Sequence, residues 1–225
     1  MSEDPRLLEE AVEFAENPEP RCPCVLLLDT SSSMRGAPIE ALNEGIRTFH
    51  TDLLQDDLAM RRVEVAVVTF DSEVRVLQDF ITVDRWTAPL LTAQGYTHMG
   101  GAIHQALDML QTRKEQYRAS GIVYYRPWVF MITDGEPQDE PDAVVDSAMQ
   151  RIREDETQNR VAFFAVGVEN ANMSRLHQIV TRTPIKLKGL NFVDMFVWLS
   201  ASMQAVAQSK PDAQLALPPP DWGTV

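Results

Sequence analysis

Two hydropathy regimes alternate along the chain. Short apolar-rich runs, Val25-Leu26-Leu27-Leu28, Val63 to Phe70, Trp128 to Thr133 and Val161 to Val168, read as strands, the first of them buried on both faces. Between them, apolar residues recur at spacings of three and four, the signature of one helical face. Ile39, Leu42, Ile46, Phe49 and Leu53 follow Pro38, which suits a first helical turn. Ile103, Leu107 and Leu110 mark a helix after Gly100-Gly101, and Val144, Ala148 and Ile152 mark the next. A short helix is expected around Met173 to Val180 and a short strand over Ile185 to Leu187. Phe192, Phe196, Leu199, Met203 and Val206 stripe a C-terminal helix.

The link after Val63–Phe70 differs from the others. Asp71-Ser72 is too short for a crossover, so Glu73 to Phe80 is expected to return as an antiparallel partner. Strands alternating with helices then imply an α/β fold, a mostly parallel sheet with one antiparallel edge strand and helices on both faces. An acidic arm over 1–20 precedes the main domain at 21–207, and a Pro-rich tail follows at 208–225. Within the arm, residues 4–16 suit a short amphipathic helix with Asp4 as cap and Pro5 at its first position. Leu7, Leu8, Ala11, Phe14 and Ala15 share one of its faces. The tail, with Pro218-Pro219-Pro220, is expected to be extended; its sequence leaves open whether it docks on the domain or on a partner.

Composition narrows the function classes. With 225 residues, 44% hydrophobic and 24% charged, the chain has the balance of a soluble globular domain. No run of about 18 apolar residues is present, so no membrane span is expected. Met1 to Pro20 lacks the basic-then-apolar layout of a signal peptide, which points to a cytoplasmic protein. The formal net charge of −13 disfavours nucleic-acid binding. Cys22 and Cys24 are two ligands short of a structural zinc site, and His50, His98, His104 and His177 show no spacing to complete one. The two cysteines therefore read as flanking and entering the first strand, with Cys24 buried as a small hydrophobe.

Candidate chemistry gathers at the strand ends. Asp29-Thr30-Ser31-Ser32-Ser33 follows the first buried strand, where open α/β sheets bind ligands. The alternation at 29, 31 and 33 lets one carboxylate and two hydroxyls face a common centre. Gly95-Tyr96-Thr97-His98-Met99-Gly100-Gly101 is a Gly-rich loop entering a helix, and Met131-Ile132-Thr133-Asp134-Gly135 is a strand ending in Asp-Gly. Singly, these segments read as turns and caps. Together they bring oxygen donors to one sheet edge, a set suited to Mg²⁺, Mn²⁺ or Ca²⁺ rather than to zinc or copper. Asp71 is open as a further contributor or a hairpin residue. Glu136, Asp139 and Glu140 are expected in a solvated rim loop, with selection of basic partners as the alternative.

The pattern Asp-x-Ser-x-Ser, Gly-x-Thr-x-x-Gly and Thr-Asp-Gly resembles the metal-ion-dependent adhesion site (MIDAS) of von Willebrand factor A (VWA) domains, over roughly residues 21–207. The resemblance implies a Rossmann-like doubly wound fold and a metal held by Asp29, Ser31, Ser33, Thr97 and Asp134. By it, Ser31 and Ser33 bind through their hydroxyls, Asp29 and Asp134 act mainly through waters or hydrogen bonds, and Thr97 binds directly when a partner is engaged. A partner Asp or Glu completes the coordination.

Leu26 to Met34, Pro38 to Asn43, Val68 to Ser72 and Phe196 to Ser202 also resemble bacterial tellurium-resistance VWA proteins of the TerY type. Those are cytoplasmic proteins of stress-response systems that often include a protein kinase and a phosphatase. Ser32 stands where that family often has Gly. The function implied is a metal-dependent protein-interaction module; a phosphorylated scaffold or substrate in such a kinase–phosphatase set is a compatible reading. A metal-dependent phosphohydrolase is the enzymatic alternative. Against it, Ser31 stands where haloacid-dehalogenase-like enzymes carry a second Asp, no matching lysine motif follows, and neither a phosphate loop nor a Ser-His-Asp arrangement is present. No catalysis is expected.

Overall fold

The computed structural model describes residues 12–169, 171–211, 213 and 215–224. In chain order the elements are β1 (Cys22–Asp29), a 3₁₀ turn (Ser32–Met34), α1 (Ala37–Leu53), α2 (Asp57–Arg62), β2 (Val63–Phe70) and β3 (Val74–Thr82). A second 3₁₀ turn (Val83–Arg85) precedes α3 (Met99–Ala119), β4 (Trp128–Thr133), α4 (Asp142–Thr157) and β5 (Ala162–Gly167). The chain continues with α5 (Met173–Ile179), β6 (Ile185–Leu187), α6 (Phe192–Gln208) and β7 (Gly223–Thr224).

The strands form one seven-stranded sheet in the order β3-β2-β1-β4-β5-β6-β7. From β2 to β6 all pairings are parallel, and β3 returns antiparallel on β2. The sheet is thus the mixed, mostly parallel one expected, and its strand order reverses at β1 and β4, the switch point where such sheets bind ligands. The hairpin link is three residues, Asp71 to Glu73, rather than two, because Glu73 accepts from the Asp71 amide and ends the turn before pairing begins.

The period-two rule sorts each central strand between two cores. Cys22, Cys24, Leu26 and Leu28 pack under α1 and α6, while Val25 and Leu27 face α3, α4 and α5. Both cysteines lie inside β1, buried and unpaired, and burial pushes the Cys24 thiol up to about 12. On the first face α1 and α6 approach closely at Gly45, where a β-carbon would lie 2.5 Å from the Phe196 ring.

At the start of the sheet, Glu64 of β2 is wholly buried and receives Arg21, Arg113 and the Tyr117 hydroxyl. Arg113 also reaches Glu13 at 2.9 Å and stacks over Phe14, which ties residues 12–16, helical in the structure, onto the domain. The rest of the helix expected at 4–16 lies outside the described residues. At the opposite side of the sheet, β7 pairs antiparallel with β6, a strand the sequence did not signal. Trp222 beside it is buried against Trp198, whose indole N–H donates to the Pro218 carbonyl at 2.9 Å. The described part of the tail therefore docks on the domain. No helix among the described residues is long and apolar enough to cross a membrane.

Candidate metal centre

Asp29 is the last residue of β1, and Asp134 directly follows the adjacent strand β4. Parallel pairing of neighbouring strands ends both at the same edge. The Ser-rich segment folds back on itself there: the Ser31 amide donates to Asp29 Oδ1 at 2.8 Å, so the carboxylate closes the turn that starts the first 3₁₀ segment. The Ser31 and Ser33 hydroxyls lie 2.9 Å apart, and Ser33 Oγ donates to Asp134 Oδ1 at 2.7 Å. Asp29, Ser31, Ser33 and Asp134 thus form one continuous polar chain.

Thr97 enters from the loop ahead of α3. A β-carbon placed on Gly135 would sit 3.5 Å from Thr97 Oγ1 and 3.9 Å from Asp29 Oδ2, so the bare glycine leaves both oxygens facing one small space. Two backbone bonds hold Thr97 there: its carbonyl accepts from the Gln138 amide at 2.9 Å, and the following His98 amide donates to the Asp71 carbonyl at 2.9 Å. The structure brings all five sequence-predicted residues to one edge.

The electrostatics are those of an unneutralised negative site. Burial pushes the Asp29 carboxyl up to about 6; bonds from Thr133 and Ser31 hold it back, and the charge of Asp134 adds to the rise. Burial also raises Asp134, opposed by the Ser33 hydroxyl and reinforced by Glu169. Two carboxylates and three hydroxyls match the oxygen-only chemistry of hard divalent cations. The Ser31–Ser33 separation of 2.9 Å also equals the distance between adjacent oxygens around an octahedral ion with bonds of about 2.0–2.1 Å. The residues present fit such a cation.

Several partners of the site were visible in the sequence only as members of its motifs, without a role of their own. Thr133, fully buried, donates to Asp29 Oδ2 at 2.5 Å and accepts from the Gly135 amide, so both Asp29 oxygens are engaged. Gly95, at φ 72°, presses on Ser72 and accepts from the Ser32 amide at 3.0 Å. It is the first glycine of the Gly-x-Thr-x-x-Gly pattern. Asp71 serves the hairpin and also touches the site loop: Oδ1 accepts from the Glu73 amide, and Oδ2 accepts from Arg75 at 2.7 Å and from the Thr30 hydroxyl at 3.5 Å.

The rim loop after Asp134 is also more ordered than expected. Glu140 accepts from the Gly100 and Gly101 amides at 2.8 and 3.2 Å, capping the first turn of α3. That bond explains why α3 begins at Met99, with both glycines inside the helix. Gly100 allows the close approach, since a β-carbon there would lie 3.0 Å from the Val145 backbone. Glu136 accepts from Asn172 at 2.5 Å. Of the three rim acids, Glu140 is half-buried and bonded to the helix start, whereas Glu136 keeps its exposure while accepting from Asn172, and Asp139 is exposed.

The family model of the von Willebrand factor type A domain matches residues 24–194. No curated protein sequence compared with the chain matches it significantly. Among solved structures, the vWF domain of the type V pili tip protein Mfa5 from Porphyromonas gingivalis superposes with a TM-score of 0.62 at 13% identity. That alignment covers 85% of this chain and 98% of that one. The pilus adhesin SpaC from Lactobacillus rhamnosus GG gives 0.63 at 13% identity, over 84% of this chain and 30% of that one. Proximal thread matrix protein 1 from the mussel byssus gives 0.55 at 16% identity, over 84% and 46%. The chain therefore spans about half of the byssus protein and under a third of SpaC. These likenesses establish the fold.

Proposed function

The chain belongs to the von Willebrand factor type A domain family, and on that premise we propose that it is a metal-dependent protein-interaction module. Asp29, Ser31, Ser33, Thr97 and Asp134 hold Mg²⁺, with Mn²⁺ or Ca²⁺ as the other hard cations that suit the donors. The observation that carries this reading is the hydroxyl-rich chain from Asp29 through Ser31 and Ser33 to Asp134, with its 2.9 and 2.7 Å spacings. When bound, the cation supplies a Lewis-acidic position for a carboxylate oxygen from an Asp or Glu of a partner protein.

The protein's own residues prepare that position. Thr133 and the Ser31 amide fix both oxygens of Asp29, which favours a holding role over nucleophilic attack and speaks against the phosphohydrolase alternative. Ser33 is exposed, so the site faces outward at the sheet edge. In the family setting suggested by the TerY-type segments, the partner is a protein of a cytoplasmic tellurium-resistance-type stress system, a kinase or phosphatase among them.

Capture of host proteins on the immobilised chain, with Mg²⁺ or with excess EDTA, tests the reading. Capture is expected only with the cation, and Ser31→Ala is expected to abolish it while the far-ultraviolet circular dichroism stays native. Equal capture in EDTA overturns it.

A further inference from the structure

A second polar cleft lies at the opposite edge of the sheet, between the C-terminal halves of α3 and α4 and beside the chain entering β4 and β5. Its volume is about 780 Å³. Lys114, Arg118, Arg126, Arg151 and Arg160 line it, five of the 20 lysines and arginines in a chain of net charge −13. Such a concentration of one sign in an acidic protein needs a physical reason. Complementing the negative C-terminal end of α3 accounts for Arg118 in its last turn. It does not account for Lys114, which lies before the last turn of α3 and is only 6% exposed.

The cations differ in how fully they are used. Arg126 donates to the Val161 carbonyl and pairs with Glu156, and Arg151 pairs with Asp108 at 2.5 Å. The acids of the cleft are engaged as well: Asp155 faces Arg160 at 3.4 Å, and Glu154 accepts from Gln150 at 2.8 Å. Lys114 has no hydrogen bond or ion pair among the described residues, although its ammonium carries three donors. Arg118 donates to the Tyr124 hydroxyl at 2.9 Å, stacks over that ring, and meets no carboxylate among the described residues.

We propose that this cleft is a binding site for a phosphoryl-bearing small anion, held by Lys114 and Arg118. An unpaired ammonium at the end of a largely buried stem, beside an arginine held in place by an aromatic ring, is a ready receptor for such an anion. Desolvation holds Lys114 below the usual lysine range; Asp155 opposes this, and Arg118, Arg160 and Arg151 deepen it. The cleft volume also leaves room for a ligand larger than pyrophosphate.

Calorimetric titration of the full chain with pyrophosphate and with ATP, both in EDTA so that no cation bridges phosphate to Asp29, tests the proposal. Binding of both in the millimolar range or tighter is expected. Equal affinities assign recognition to the phosphoryl groups alone, and tighter ATP binding adds the base; either result supports the site. Lys114→Met is expected to weaken binding about tenfold or more, as loss of a charge-assisted hydrogen bond does, with an unchanged or higher Tm. The exposed Arg118→Gln gives the same loss without touching the interior. Absence of pyrophosphate binding by the wild type, or wild-type affinity in a folded Lys114→Met or Arg118→Gln, overturns it.

Discussion

Ser33 Oγ donates to Asp134 Oδ1 at 2.7 Å across 101 positions of sequence. The bond joins the loop after β1 to the end of β4, and through Ser31 it reaches Asp29. Removing the Ser33 hydroxyl opens this chain at its centre. Ser33→Ala is expected to lower Mg²⁺ or Mn²⁺ affinity about tenfold or more by titration calorimetry, the loss of one oxygen ligand. Because Ser33 is exposed, Tm in EDTA should stay near the wild type. An unaltered cation affinity would remove Ser33 from the proposed donor set.

Asp29 sets up a trade between stability and binding. Its carboxyl is buried and raised to about 6 in the metal-free protein, against about 3.9 in an unfolded chain. The native state then holds the proton more readily than the unfolded one. Below about pH 4 the ionised group costs nothing; between about 4 and 6 the cost grows, and above 6 it is complete. Asp29→Asn is therefore expected to stabilise the EDTA-treated protein by about 1–3 kcal/mol at neutral pH, and by little near pH 4. The same variant should lose stabilisation by Mg²⁺. Urea titrations at the two pH values check both signs.

Glu140 makes a sharper case for order at the rim. Its carboxylate takes the Gly100 and Gly101 amides at the start of α3. Glu140→Ala should cost about 1 kcal/mol, the usual worth of a helix cap. Hydrogen exchange should quicken at those two amides first. Exchange that is faster everywhere equally would mean that the carboxylate does not act locally.

Gly45 tests the packing that supports the site from below. A β-carbon there would overlap the Phe196 ring, so the helix-propensity gain of alanine is outweighed by crowding. Gly45→Ala is expected to destabilise by about 1–3 kcal/mol, read as a lower urea midpoint at constant slope. A stabilised variant would show that α1 and α6 separate freely.

Glu64 anchors the opposite edge. Glu64→Gln leaves Arg21 buried without a carboxylate and Arg113 with Glu13 alone. Loss of about 3–5 kcal/mol is expected, the penalty of stranding a buried charge. Limited proteolysis should then cut first near residues 12–16, whose tie to the domain runs through Arg113.

Much of this fold is determined locally. The apolar-rich runs at β1, β2, β4 and β5 and the three-and-four stripes of α1, α3, α4 and α6 depend only on near neighbours in sequence. The short link after Phe70 likewise forces antiparallel return of β3. Asp29, Ser31, Ser33, Thr97 and Asp134 could be named as candidates because each follows or precedes such an element. What the sequence could not supply is which distant groups complete them. Thr133 locks Asp29, Gly135 opens the space toward Thr97, and Glu140 caps α3 only once β1, β4 and α3 are packed together. Strand β7 and the bonded state of Glu136 have the same origin. Hydrophobic periodicity is carried by each segment alone, whereas a hydrogen bond across a hundred residues exists only after the sheet has aligned its two ends.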